Sequence, residues 1–372
     1  MIFYNADMFT PEGWLQGGFR VEDGIFTEIT PGLKTGDIDL HGSKVIPGLV
    51  DIHIHGCAGA DFSDGNPDGL KVMAACCARN GITGIVPASV TLPYEKLATA
   101  FRTARELHDS RPEGCARILG VHMEGPFFSE AKKGAQNCEY LRDPDFEAFL
   151  RLYDGCGGLI RIVDLAPELP GAVEFTEKAS RLCTVSVAHT DADYGQAAAV
   201  FDMGASHLTH LFNAMPPVHH RSPGVIGAAS ERDWVTAELI CDGLHVHPSA
   251  VRLAFRLFPG RICLISDSLR CCGVPDGEYE LGGQQVFLRD GAARLADDTI
   301  AGAVSGLYTD MRNAVRFGIP EAEAIRAATI IPARAIGADR EIGSVEPGKL
   351  ADFVVCGEDL ALRQVYIGGS AV

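Results

Sequence analysis

Between residues 47 and 335, short apolar runs alternate with segments of helical spacing, and that alternation restricts the chain to a parallel α/β architecture. The strand-like runs are Pro47–Gly56, Gly81–Val86, Arg117–Glu124, Leu159–Leu165, Cys183–His189, Ser206–Leu211, Thr236–Cys241 and Arg261–Ser266. Helix-like segments separate them, among them Asp68–Arg79, Tyr94–Asp109, Glu174–Arg181, Gln196–Met203 and Ser249–Phe258. In the second of these, Leu97, Phe101, Ala104 and Leu107 recur at helical spacing. Strand–helix units repeated over this length point to a closed (β/α)8 barrel of the TIM type rather than an open sheet. A turn-rich stretch, Pro275–Ala296, reads as a β insertion before two last helices, Ser305–Phe317 and Glu321–Ala328.

The two ends have a different character. Phe19–Phe26 places Asp23-Gly24 between strand-like runs, a hairpin signal, and Ala351–Val355 reads as a strand after the turn-rich Gly343–Lys349. The expected organisation is therefore a barrel over 47–335 and a small β-sandwich domain built from both termini, 1–46 and 336–372. The 372 residues are enough for one large and one small domain. No basic segment or long apolar core follows Met1, and no stretch approaches the roughly 20 apolar residues of a membrane span. The 12 cysteines include no Cys-x-x-Cys pair, so they read as reduced, mostly buried thiols of a cytoplasmic protein. A net charge of −17 argues against nucleic acid and anionic membranes as partners, and any anionic ligand has to be met by local donors.

The chemistry concentrates at the strand ends, where barrels of this type carry their sites. In Pro47-Gly-Leu-Val-Asp-Ile-His-Ile-His-Gly56, alternation puts Val50, Ile52 and Ile54 on one face and Asp51, His53 and His55 on the other, so both imidazoles can reach one ion. Strand three ends in His122-Met-Glu124, strand five in His189, strand seven in Asp242-Gly-Leu-His245 and strand eight in Asp267. His207 and His210 are three apart, so on a strand only one of them faces the site. His122 shares a face with Glu124 and reads as a supporting residue. His247, before Pro248 at a helix start, reads as structural, while His41, His108, His219 and His220 read as solvated. Cys57, close to the histidine pair, reads as a small core side chain.

The first-strand sequence resembles that of the amidohydrolase superfamily. More specific phrases resemble the N-acetylglucosamine-6-phosphate deacetylases: His122-Met-Glu-Gly-Pro-Phe-Phe, Lys132-Lys-Gly-Ala-Gln-Asn, Thr209-His-Leu-Phe-Asn-Ala-Met-Pro-Pro, Arg221-Ser-Pro-Gly, Cys241-Asp-Gly-Leu-His-Val, Ser266-Asp-Ser-Leu and Thr299-Ile-Ala-Gly. They run in unbroken order to Glu346-Pro-Gly-Lys-Leu-Ala-Asp. The resemblance implies Glu124, His189 and His210 as metal ligands, with His53, His55 and Asp267 able to hold a second divalent ion, zinc or iron, around a bridging Glu124. It implies Asp267 as the acid–base and substrate contacts from Ala135, Gln136, Asn213, Ala214, Arg221, Asp242, His245, Ile300, Ala301 and Gly302. Some members carry His where this chain has Gln136, and Ser268–Cys272 departs from a run of small residues. The implied protein is a homodimer acting on an amino-sugar phosphate.

The residues suit that chemistry. A metal lowers the pKa of its water, Asp267 can move a proton, His245 can steady an oxyanion, and Arg221 offers a fork matched to phosphate. The expected reaction is hydrolysis of N-acetylglucosamine 6-phosphate to glucosamine 6-phosphate and acetate. Alternatives are the same chemistry on the galactosamine epimer, cyclic-amide hydrolysis, or a non-catalytic assembly protein. Arg161–Leu165 has no lysine for the carboxylated bridge of many cyclic amidases, and a non-catalytic relative would be expected to have lost the ligands present here.

Overall fold

Short parallel strands buried on both faces form the centre of the chain, and the computed structural model describes all of it, Met1–Val372. Leu49–Ile54 pairs in parallel with Ile82–Pro87, which pairs with Arg117–Ile118. A bridge between Ala88 and His122 continues the order into a six-stranded parallel sheet of Val121–Met123, Ile160–Leu165, Thr184–Val187, His207–Leu208, Thr236–Ile240 and Ile262–Ile265. The backbone N–H of Asp267 donates to His53 O at 2.9 Å and that of His55 to Ser268 O at 3.0 Å, so the end of the last strand is tied to the first. Nearly every residue of these strands is buried, which explains their continuous Val/Ile/Leu character.

Helices cover the strands. Pro67–Arg79 is started by Asn66, whose side chain accepts from the N–H groups of Asp68 and Gly69, and by Pro67 at its first position. Tyr94–Ser110, Ala172–Ala179, Tyr194–Met203, Pro248–Leu257, Leu307–Arg316 and Glu321–Ala328 lie within a few residues of their expected positions. The sequence reading has no helix over Phe146–Gly155, Gly224–Ser230 or Ile330–Ala335. The first lies between strands three and four, and the other two are short segments that burial rather than periodicity keeps helical.

Two expected strands are cut short. Arg117–Glu124 breaks into two pieces at Gly120, where a Cβ would come within 2.1 Å of the Arg161 side chain. Ser206–Leu211 is a strand only at His207–Leu208, after which the chain turns and His210 takes φ 31°. Strand parity therefore cannot assign the faces of His207 and His210.

The termini meet in one seven-stranded sheet that joins Ile2–Thr10, Gly13–Glu22, Ile25–Pro31 and Ile38–Pro47 to Phe353–Cys356, Leu362–Ile367 and Ser370–Ala371. Asp23 and Gly24 form the hairpin with φ 51° and 78°, the paired positive values of a type I′ turn. A core of 12 buried residues, with Phe3, Phe19, Phe26 and Phe353 at its centre, lies under this sheet and is separate from the main core of 92 residues. The Pro275–Ala296 insertion forms the strands Gly277–Leu281, Gln284–Arg289 and Ala292–Arg294, and Ile300–Gly302, beyond its expected end, joins them as the fourth strand of an antiparallel sheet. No helix is long and apolar enough to cross a membrane.

Candidate metal centre

The strand ends deliver imidazoles and carboxylates to one point. His53 and His55 bring their Nε2 atoms to 3.4 Å of each other. Glu124 follows the strand Val121–Met123 and lies between two histidine pairs. Its Oε1 is 3.2 Å from His189 Nε2 and 3.3 Å from His210 Nε2, and its Oε2 is 3.4 Å from His55 Nε2. His189 Nε2 and His210 Nε2 are 3.1 Å apart. Asp267 Oδ1 stands 3.2 Å from His55 Nε2 and 3.6 Å from His53 Nε2. All of these residues are buried.

The backbone is unusual where it presents them. His189, His210 and Asp267 have φ of 45°, 31° and 49°. Non-glycine residues seldom adopt this region, and such residues collect at functional sites. Each lies just past the end of a parallel strand, where the chain reverses instead of continuing the pleat.

Charge and burial compete here. Burial alone would raise the Glu124 carboxyl, but hydrogen bonds from His189 and His210 and the charges of His55 and His53 hold it well below the usual carboxylate range. The Asp267 carboxyl is lowered in the same way: burial opposes, and the hydrogen bond of His55 with the charges of His53 and His55 prevails. Burial lowers His55 and His210, yet the neighbouring carboxylates push both up to about 9. Facing imidazole nitrogens at these distances repel unless a proton or a cation lies between them. Nitrogen pairs with carboxylate oxygens beside both are the donor set of a divalent metal, and three trios that share residues, His53–His55–Glu124, Glu124–His189–His210 and the deeper His53–His122–Glu238, have the required closeness. These residues fit such an ion.

Above the cluster opens a cavity of roughly 280 Å³. His55, Glu124, His189, His210 and Asp267 reach it, together with Ala135, Gln136, Asn213, Ala214, His245, Ile300, Ala301 and Gly302. Val90, Gly134, Leu281 and Thr299 also line it; Gly134 and Thr299 lie within the quoted motif phrases, though the sequence reading does not single them out as site residues, and only the fold brings Val90 and Leu281 to them. A larger groove of about 660 Å³, between Leu107–Leu119 and the C-terminal Ser370–Val372, contains none of the metal-ligating trios.

Three expected contacts are placed differently from the rest. Arg221 is exposed, lies outside the cavity lining, and donates from a guanidinium nitrogen to His220 Nε2 at 2.7 Å. Closeness in sequence to Asn213 does not carry it into the cavity lining. Asp242 stands behind His245, with its Oδ2 2.7 Å from His245 Nδ1. Gln136 is engaged at both ends of its amide: its nitrogen donates to Glu124 Oε2 at 2.7 Å and its oxygen accepts from the Thr91 N–H at 2.7 Å.

Other histidines sort as follows. His122 lies beneath the cluster, with Nε2 2.9 Å from Asp164 Oδ1. His247 caps the helix Pro248–Leu257. His41, His219 and His220 are exposed, whereas His108 is half-buried and bonds Ile118 O at 2.6 Å, so it is not a solvated side chain. Cys57 is buried. Sequence reasoning missed Glu238 and Asp164, both fully buried. The available signal was an acidic residue inside an otherwise apolar strand, which burial tolerates only with a partner.

The Amidohydrolase family matches residues 44–372. An N-acetylgalactosamine-6-phosphate deacetylase of Escherichia coli O157:H7 is 35% identical over 97% of this chain and 96% of its own. An N-acetylglucosamine-6-phosphate deacetylase of Bacillus subtilis (strain 168) is 39% identical over 85% of this chain and 81% of its own. The solved structure of a mutant N-acetyl-D-glucosamine-6-phosphate deacetylase from Mycobacterium smegmatis, in complex with N-acetyl-D-glucosamine-6-phosphate, superposes with a TM-score of 0.93 at 34% identity, covering 100% of this chain and 98% of that one.

Proposed function

The chain belongs to the amidohydrolase family, and from that membership we propose that it hydrolyses N-acetyl-D-glucosamine 6-phosphate to D-glucosamine 6-phosphate and acetate. It is a hydrolase with a divalent metal cofactor and a TIM-barrel-type fold carrying a second domain. The observation that carries the reading is the convergence of Glu124 with two imidazole pairs on the floor of a cavity, in a chain that matches deacetylases over most of its length.

In this reading Glu124, His189 and His210 would hold one ion, and His53, His55 and Asp267 would hold a second, zinc or iron. When bound, a divalent cation polarises the amide carbonyl and makes water more acidic. Asp267 takes a proton from the attacking water on its carboxylate and delivers it to the leaving amine nitrogen. Asp242 accepts from His245 Nδ1–H, so His245 can donate from Nε2 only as the imidazolium, and in that form it steadies the developing oxyanion. Gln136 fixes the Glu124 carboxylate and leaves carbonyl polarisation to other groups. Ala135 and Ile300–Gly302 wall the sugar, the backbone near Asn213 and Ala214 meets the phosphate, and Arg221 reaches it from the exposed loop.

We further read the ring of parallel strands over 47–335 as a closed (β/α)8 barrel, and segments 1–46 and 336–372 as a small β-sandwich. Supporting this are the backbone bonds from the last strand to the first and the separate aromatic core. A cytoplasmic homodimer is the proposed working form.

Acetate release from N-acetylglucosamine and N-acetylgalactosamine, each with and without a 6-phosphate, tests the function. The expected preference is for phosphorylated N-acetylglucosamine, and activity should vanish when a chelator strips the metal. Preference for the galactosamine epimer would redirect the assignment, and no acetate from any of them would overturn it.

A further inference from the structure

We infer that Glu238 is the positioning residue that makes His53 a metal ligand, by accepting its Nδ1 hydrogen and leaving Nε2 bare toward the site. The inference rests on the reading of His53 and His55 as ligands.

Glu238 lies on the strand Thr236–Ile240 and is 0% exposed. A buried carboxylate needs hydrogen-bond donors or a cation, and its ion-pair partners are all histidines, with no lysine or arginine among them. Its Oε2 is 2.9 Å from His53 Nδ1 and accepts from the backbone N–H of His210 at 3.1 Å, while its Oε1 is 3.2 Å from His207 Nε2. Only an imidazole N–H can make the first contact favourable, so His53 carries its proton on Nδ1. An imidazole that ligates a metal is neutral and has a single N–H. The lone pair is therefore on Nε2, which stands 3.4 Å from His55 Nε2, 3.6 Å from Asp267 Oδ1 and 3.7 Å from Glu124 Oε1. When neutral, as a metal ligand must be, His55 would reach the same state by another route, its Nδ1 donating to Ala88 O at 3.1 Å. A carboxylate behind a ligating histidine fixes the ring and strengthens its basicity, and losing one weakens metal binding about 10–100-fold. Glu238 also accepts from the backbone N–H of His210, a contact that does not touch the His210 ring.

The experiment titrates metal-free protein with Zn²⁺ against a chromophoric chelator, for wild type, Glu238→Gln and Glu238→Ala, with a melting curve of each metal-free protein. Wild type should bind a second ion. Glu238→Ala should retain the ion of Glu124, His189 and His210 and bind the other about 10–100-fold more weakly. Glu238→Gln keeps the shape and one accepting oxygen but loses the charge, and should fall between them while melting near wild type, so the inference survives a failure of the alanine variant to fold. Unchanged affinity for both ions in the variants, with only a lower melting temperature, would make Glu238 structural and overturn the inference alone. Wild type binding a single ion would overturn the reading of His53 and His55, and this inference with it.

Discussion

Asp267 has to serve two masters, a pair of imidazoles 3.2 and 3.6 Å away and a substrate in the cavity above. Asp267→Asn keeps the shape and a ligating oxygen but cannot take a proton under working conditions. We expect kcat to fall about 10²-fold or more while substrate still binds and the ion of Glu124, His189 and His210 remains; steady-state kinetics with metal analysis reads this, and near-wild-type turnover would refute the shuttle. Arg221 is a second test at this scale. A charge-assisted phosphate contact contributes about 2 kcal/mol or more when desolvated, and an exposed arginine gains less. Arg221→Ala should raise KM for the phosphorylated sugar by about tenfold and leave KM for the unphosphorylated sugar unchanged. An equal rise for both would confine the phosphate to the Asn213–Ala214 side of the cavity.

The strands and helices differ in what secures them. The parallel strands are short, two to six residues, and depend on burial and on their neighbours. The terminal sheet depends on its aromatic layer. Phe353 stacks on Tyr366 with ring centres 4.5 Å apart and meets Phe3 and Phe19 edge-on at 5.2 and 5.0 Å. It is fully buried, so truncation leaves a cavity as well as lost contacts. Phe353→Ala should cost about 3–5 kcal/mol, read as a lower urea midpoint, while the metal content of the folded protein stays as in wild type. A shift within error would mean that the sheet tolerates the void by collapsing.

Across the whole molecule, the cysteines make a protection map. All are free thiols, and Cys138 alone is exposed. Burial pushes the Cys183 and Cys272 thiols up to about 12 and Cys271 up to about 11. Because the thiolate is the reactive form, a thiol reagent at pH 8 should label Cys138 quickly and the others only as the protein unfolds. Mass mapping of the labelled sites checks this, and rapid native labelling of Cys183 or Cys272 would contradict the packing described here.

Local chemistry made much of this protein legible from its residues alone. Alternation along Val50–His55 put both histidines on one face, Asp23-Gly24 announced its hairpin, and burial on both faces gave the parallel strands their unbroken apolar runs. Glu124, His189, His210 and Asp267 were reachable as strand-end residues carried by motif. What only the tertiary structure decided involves contacts between residues far apart in the chain or local backbone turns that periodicity does not encode. Glu238 meets His53 from 185 residues away, and nothing near either one requires the other. His207–Leu208 ends as a strand where His210 turns to positive φ, so a parity rule for straight strands could not separate the two histidines. Arg221 follows the Asn213–Ala214 phrase closely, yet it is exposed and outside the cavity lining. Short-range periodicity sets what each segment can become. Which side chains share a buried site is set by which strand ends the sheet brings together.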